Sequence, residues 1–517
     1  MAKNVEPHLL GPWYGGVDYS KPAEELRPDQ LFSMQNTFVG QGGEVTQRDG
    51  FERLVATSLG ASAGVTAVGK QKFSSTSNKE YVIAGGALYE LMSGTWTDRV
   101  PGSGVTISDD DTFPWSLVNA NGTLCGHNGK TGDTIIKWAA SGADCAALSM
   151  GSSSVTRAKH WEWWDGRLWC GNSNQGNDQV NYSDDTNIET WGANDLFFIG
   201  EELTGVKAFG RRALALHGEN GITLLRSTGS ASIPYSKDGV SARGTVSHRS
   251  IVAVRGQQSA NLQLFVREDG IYAFNGGEAE KISQPLDGDR FWKNVNHDAL
   301  DTGSFAIAHG EKDEAWFFIP YGSGQTIANR IVVYDYVRNI WFGPYLSAAA
   351  TSEWLTGGIV GRTPHAGGAD GYILKLDDTE RTNDEDNSAI VAEMVTGAPP
   401  PLGMDYTNRW MYALHAFDVQ GDYDVTVSHF GQRIPSETVI VPQGGGYDAI
   451  EAGFEIESSK IAGEDLMATV GTKLSGYDSS IQMKYVNTGA SETYTMRRTA
   501  VMYKPKGRLT LRGPGVI

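Results

Sequence analysis

The stretch VNYSDDTNIETWGANDLFFIG, residues 180–200, places Ser183, Asp184, Asp185, Asn187 and Trp191 within a few positions, between two runs that read as strands. Short carboxylate and hydroxyl side chains accept hydrogen bonds from backbone N–H groups one or two residues on, so the chain can reverse direction locally. A tryptophan closing such a turn buries its ring in the adjoining sheet. Ser183, Asp184, Asp185 and Trp191 are therefore expected to form a structural turn. Such a turn needs no reactive group.

Outward from this turn, one refrain recurs: a hydrophobic strand, a tight glycine-containing turn, then an aromatic or aliphatic strand. EYVIAGGALYEL (80–91) turns at Gly85-Gly86, and WEWWDGRLWCGN (161–172) at Asp165-Gly166. LFVREDGIYAFNGG (264–277) turns at Asp269-Gly270, and VGRTPHAGGADGYILKLDD (360–378) at Asp370-Gly371. Asp-Gly suits the type I′ hairpin turn, where both central residues take positive φ. RIVVYDYVRNIWFGPY (330–345) supplies a further strand pair, with Trp341 opening its second strand. At the roughly 40–50 residues of a propeller repeat, residues 61–380 would hold six to eight blades.

The flanks read differently. Residues 1–60 are expected to hold a short helix near Pro28 and Asp29, then a hairpin around Gly40 to Gly43 that closes the propeller. DDTERTNDEDNSA (377–389) is a polar, acidic break and the best linker. Beyond it, YALHAFDVQGDYDVTVSHFGQ and TYTMRRTAVMYKP alternate like half-buried antiparallel strands. A C-terminal β-sandwich over 381–517 follows. The predicted class is all-β: a β-propeller of six to eight blades, a short N-terminal segment and a C-terminal sandwich.

Composition agrees. The 517 residues include 64 glycines, well above the usual roughly 7%, scattered at turn positions without a collagen-like period. Fourteen tryptophans and twenty tyrosines favour strands. A net charge of −18 argues against a surface that grips phosphates, and Lys and Arg show no cluster along the propeller. Cys125, Cys145 and Cys170 are too few for a disulfide framework. No apolar run approaches the ~18 residues of a membrane span.

A search for chemistry yields no catalytic, cofactor-binding or metal-ligating set. SDDDTF (108–113) gathers three carboxylates but lacks the glycine and terminal glutamate of an EF-hand loop, which favours a solvated turn. Cys125 and His127, with Cys145 further on, lack the second close pair that zinc needs. His160, His217, His248, His297, His309 and His365 follow no metal-binding spacing. Arg211 and Arg212 are adjacent, but no arginine triad for a sugar carboxylate can be read. The expectation is a protein that is not an enzyme and carries no cofactor.

Two resemblances bear on these readings. Residues 183–191 resemble the Asp-box of sialidase-like propellers, a turn set away from any catalytic funnel. GGVDYSKPAEELRPDQLFSMQNTFVGQGGEVTQRDGFERL (15–54) resembles the opening of bacteriophage tail proteins: a Gly-Gly start, a proline, a short helix reaching Asn36, then a hairpin closing on Arg48-x-Gly50. YSDDTNIETWGANDLFFIGEELTGVKAFGRRALALHGENGITLLRS, LFVREDGIYAFNGGEAEKISQPLD and RIVVYDYVRNIWF follow in the same order. The resemblance implies the tail nozzle or hub of a short-tailed phage, with a homo-hexameric ring continuing the DNA channel below the portal and adaptor. It also implies contacts with tail fibres or spikes, DNA passing without specific binding, and a virion location after synthesis in host cytoplasm. The alternatives are a propeller glycoside hydrolase or lyase, and a carbohydrate-binding propeller that recognises a receptor.

Overall fold

The computed structural model describes residues 5–54, 58–59, 63–102, 104–230, 233–256, 261–347, 353–378, 382–384, 387–418, 423–431, 434, 436–442 and 467–508. Seven four-stranded antiparallel sheets follow one another along the chain. Six are local meanders, spanning 65–98, 116–147, 158–198, 203–241, 252–281 and 305–345. The seventh takes three strands from 354–378 and its fourth, Gly50–Arg53, from the N-terminal segment. The architecture is all-β and propeller-like.

The first strands of successive sheets pack side by side, with the 3-10 turn His248–Ser250 standing between the fourth and fifth. The first strand of the seventh sheet, Trp354–Val360, packs on that of the first, Val65–Lys72, so the series returns on itself. Contact there is close enough that a Cβ on Gly358 would lie 2.6 Å from the Val68 carbonyl oxygen. Sheets covered on both faces explain the unbroken apolar runs. All six residues of Ala213–Gly218 and of Glu314–Ile319 are buried, where a half-exposed strand would alternate.

Two larger sheets complete the molecule. One joins Thr37–Val39, Val45–Gln47, Thr495–Arg508, Tyr406–Asp418 and Met467–Asp478, with Glu6–Leu10 also paired to Thr495–Arg508. The other joins Leu31–Gln35, Ala392–Thr396, Gln482–Asn487, Asp424–Phe430 and Glu437–Pro442. Their strands alternate, as in Asp424–Phe430, because each buries one face. His415 from the first sheet meets the Tyr485 hydroxyl of the second at 2.9 Å inside the shared core.

The N-terminal segment differs from expectation in two ways. Residues 20–36 hold a 3-10 turn, Ala23–Glu25, and the strand Leu31–Gln35 in place of a helix. Pro22 and Pro28 restrict the backbone between them, and Leu31–Gln35 gains a ladder with Ala392–Thr396. The Gly40 hairpin does not complete the seventh sheet, since Val45–Gln47 pairs with the C-terminal strand. Gly50–Arg53, just beyond it, performs the closure against Ile373–Asp378.

A buried ion pair fastens this crossing. The Arg48 guanidinium meets both carboxylate oxygens of Asp384 at 2.7 Å and donates to Asn36 Oδ1 at 3.0 Å. It also lies 3.7 Å from the centre of the Phe51 ring. Asn36, with φ of 52°, accepts from Leu346 N–H and donates to the Val391 carbonyl, joining the sixth sheet to the C-terminal sheets. Asp384 thus stands buried inside the stretch read as a polar, acidic linker. Residues 379–381 and 385–386 of that stretch lie outside the described residues.

Candidate functional site

The turn at 183–191 joins the third and fourth strands of the third sheet. Ser183 Oγ accepts from Leu168 N–H at 2.9 Å, and Ser183 N–H donates to the Leu168 carbonyl at 2.9 Å. Asp184 Oδ1 accepts from the Thr186 N–H and hydroxyl at 2.9 and 2.8 Å, and these bonds hold its carboxyl below the usual range. Trp191 is buried, stands edge-on to Trp161, and donates from Nε1 to the Ile188 carbonyl. Asp185 is exposed and lies 3.6 Å from Arg167. In the Ser-x-Asp-x-x-x-x-x-Trp spacing of the Asp-box the Asp is Asp185, yet the Thr186 bonds of the turn are made by Asp184.

Leu168 is the second residue of the second strand, Arg167–Ser173, so this turn lies near the Asp165-Gly166 hairpin. The first strand, Ala158–Trp164, runs from that hairpin to the opposite end of the sheet. There, against Lys159 and His160, a cavity of about 450 Å³ opens. Seven strand residues at ~3.3 Å each separate the two ends by roughly 20 Å. The turn cannot contribute to the cavity.

The cavity gathers residues that the sequence left apart. His160 and His248 lie with ring centres 5.0 Å apart, and Ser116 Oγ is 3.3 Å from His248 Nε2. Burial pulls His160 down to about 3 and His248 well below its usual value, so both rings are neutral near pH 7. The Ser116–His248 contact has the residue types of a nucleophile and its base. Its proton placement is the reverse of what that chemistry needs. Val206 N–H donates to His248 Nδ1 at 3.2 Å, so the ring proton sits on Nε2 and is donated to Ser116 Oγ. Ser116 Oγ also accepts from Trp161 N–H at 3.2 Å, which leaves it a structural acceptor.

The rest of the lining suits a polar ligand. Asn172 Nδ2 donates to Glu202 Oε1 and to the Leu203 carbonyl, both at 3.0 Å. Arg249 donates to the Leu355 and Thr302 carbonyls, and burial lowers its guanidinium to about 10 although Asp301 opposes this. Phe113 adds an aromatic surface and Glu219, Glu268 and Asp301 add carboxylates. No local spacing could reveal this set. Its members share only their position at one end of successive sheets.

Of the remaining candidates, His297 also lines this cavity and the others lie elsewhere. Asp110 of the SDDD run accepts from Thr112 and pairs with Lys130 at 2.7 Å, so an ammonium already serves it. Cys125, Cys145 and Cys170 are buried free thiols, and burial pushes Cys125 up to about 12. His127 Nδ1 accepts from Gly129 N–H, a structural role. His217 bonds Gln263 at 3.0 Å, His297 the Glu268 carbonyl at 2.9 Å, and His365 the Thr363 carbonyl at 3.0 Å. His309 pairs with Asp377 at 2.9 Å beside Lys312 and Glu314, where burial raises the Glu314 carboxyl to about 7. The expectation that basic residues do not cluster fails at Arg211, Arg212, Arg226 and Arg255. These arginines, drawn from three separate stretches of the chain, line one cavity.

No family model and no curated protein matches the chain. Solved structures do. The designed protein Ika8 is 11% identical over 63% of this chain and 99% of its own, with a TM-score of 0.37. An exo-β-1,3-galactanase from Phanerochaete chrysosporium is 11% identical over 78% of this chain and 97% of its own, at 0.27. The extracellular domain of a putative hybrid two component system from B. thetaiotaomicron is 10% identical over 92% of this chain and 62% of its own, at 0.42. None of these three is a phage tail protein, so that resemblance rests on the sequence. The expectation that the chain is not an enzyme is withdrawn, because its structural similarities include a galactanase. Membership of a propeller-like architecture does not exclude catalysis.

Proposed function

We propose that this chain is a subunit of a bacteriophage tail, a nozzle or hub protein that assembles into a ring. In this reading the seven four-stranded sheets are the blades of one propeller, and the two larger sheets are a C-terminal β-sandwich. The ring, six-fold by the sequence resemblance, continues the DNA channel below portal and adaptor and supports fibres or spikes. The supporting observation is the course of residues 15–54, the segment that carries the resemblance. It contributes a strand to the seventh small sheet and to both large ones, so one peptide ties the parts into a rigid body suited to transmitting load. The net charge of −18 suits a conduit that DNA traverses without adhering.

Light scattering and negative-stain microscopy of the purified chain, alone and with adaptor protein, test this. Closed rings are expected. A monomer under every condition, or submicromolar duplex binding that weakens steeply with salt, would overturn the reading.

A second reading, recognition or cleavage of a glycan, is favoured by one observation: the amide, carboxylate and aromatic groups around the 450 Å³ cavity. A glycan array probed with wild type and with Asn172→Ala or Glu202→Gln tests it. Equal signals from all three proteins would remove it.

A further inference from the structure

Four arginines meet at the hairpin end of the fourth and fifth sheets, opposite the first cavity. Arg211 and Arg212 occupy the turn between Leu203–Phe209 and Ala213–Gly218. Arg226 pairs in register with Ala213 on the next strand, and Ser227 N–H reaches the Arg212 carbonyl at 3.4 Å. Arg255 follows Val252–Val254, the first strand of the fifth sheet. Gly210, at φ of 64°, lets the two sheets approach, since a Cβ there would lie 2.7 Å from the Asn261 amide nitrogen. The side chains surround a cavity of about 640 Å³ whose inner wall includes Phe209, itself packed on Phe274 with ring centres 5.0 Å apart.

Several other arginines of this acidic chain are ion-paired. Arg48 meets Asp384, Arg99 meets Glu90, Arg338 meets Asp335 and Arg497 meets Asp418, each at 2.6–2.7 Å. Among the described residues, Arg211, Arg212, Arg226 and Arg255 have no ion-pair partner. With 61 acidic residues against 43 basic ones, counter-charges are plentiful in this chain. Four guanidiniums lining one cavity repel one another, and an anion between them relieves that repulsion. Their planar forks match the paired oxygens of carboxylate and phosphate.

We infer that this cavity binds a carboxylate or phosphate group carried on a ring-bearing small ligand, with the anion among the four arginines and the ring against Phe209. A sugar carboxylate and a phosphate ester share this chemistry. A long, dense polyanion is disfavoured, because the −18 charge of the whole chain repels it beyond the immediate reach of the arginines.

Isothermal titration of the full chain tests the inference. The probes are trigalacturonate and adenosine monophosphate, with inorganic phosphate as the bare anion and galactose and adenosine as neutral controls. One or both ring-bearing anions should bind at least tenfold more tightly than the neutral controls and than inorganic phosphate. Binding should weaken as salt rises from 50 to about 300 mM. Whichever of the two wins identifies the source of the anion. Arg211→Ala/Arg212→Ala should lower affinity at least tenfold, and so should Arg226→Ala alone. These side chains are exposed, so folding should survive, and an unchanged circular dichroism spectrum would verify that. No preference for the acids over their neutral counterparts, equal binding by the arginine variants, or binding of inorganic phosphate alone would each overturn it.

Discussion

Replacing Arg48 with alanine should be among the most damaging single changes in this chain. Its side chain is 2% exposed and that of Asp384 is fully buried. The guanidinium makes two 2.7 Å contacts to the carboxylate and further hydrogen bonds to Asn36, Asp49 and Leu346. Alanine leaves the Asp384 charge in the interior with the Phe51 N–H, at 3.1 Å, still donating to it. Stranding one member of a buried pair costs about 3–5 kcal/mol, and the surviving amide bond places this case toward the lower end. Arg48→Met/Asp384→Asn removes both charges and should lose less than Arg48→Met alone. The assay is urea unfolding followed by tryptophan fluorescence on wild type, both single variants and the double. Coupling within the cycle should exceed about 1.5 kcal/mol. A loss under about 1 kcal/mol for Arg48→Ala, or strictly additive single effects, would refute the claim that this pair fastens the crossing.

Three further outcomes are expected. Asp184→Ala should cost about 1 kcal/mol through its lost Thr186 bonds, whereas Asp185→Ala should stay within about 0.5 kcal/mol; equal effects in thermal melts would count against the assigned geometry. Glu314 has its carboxyl raised to about 7 in the fold, so the stability it contributes is complete below about pH 4.5 and is lost as pH rises through 7. Glu314→Gln should therefore match wild type near pH 5 and exceed it by about 1–3 kcal/mol near pH 8, and parallel pH profiles would contradict this. Gly358→Ala forces a methyl group against the Val68 carbonyl and should cost about 1–3 kcal/mol, read as a lower urea midpoint; an unchanged midpoint would mean that the closure is looser than described.

The all-β class was legible because strand signals are local. Gly85-Gly86 and Asp165-Gly166 both have two positive φ angles, as a type I′ turn requires. Asp269-Gly270 and Asp370-Gly371 also mark strand ends, but only their glycines have positive φ, so the same dipeptide served a different turn. What the sequence concealed is long-range. Nothing near Leu31 announces a partner at Thr396, and local helix signals lost to that pairing. Asp384 looks solvated among its acidic neighbours until Arg48 is brought to it. The arginines at 211, 212, 226 and 255 become a cluster only when two sheets stand side by side. The neutral histidines at the first cavity were hidden in the same way.

The closure by Gly50–Arg53 sets a timetable for folding. Arg53 pairs with Leu374, more than three hundred residues later in the chain. At synthesis rates of ~5–20 residues per second, the early strand waits on the order of tens of seconds for its ladder. The second edge of Val45–Gln47 waits longer, since its partner there begins at Thr495. The loop entropy of such a join grows only logarithmically with length, so delay is the greater hazard. Through that interval two unpaired strand edges lie open to neighbouring nascent chains. Yield in the cell should therefore depend on how well these edges are shielded before the last residues emerge.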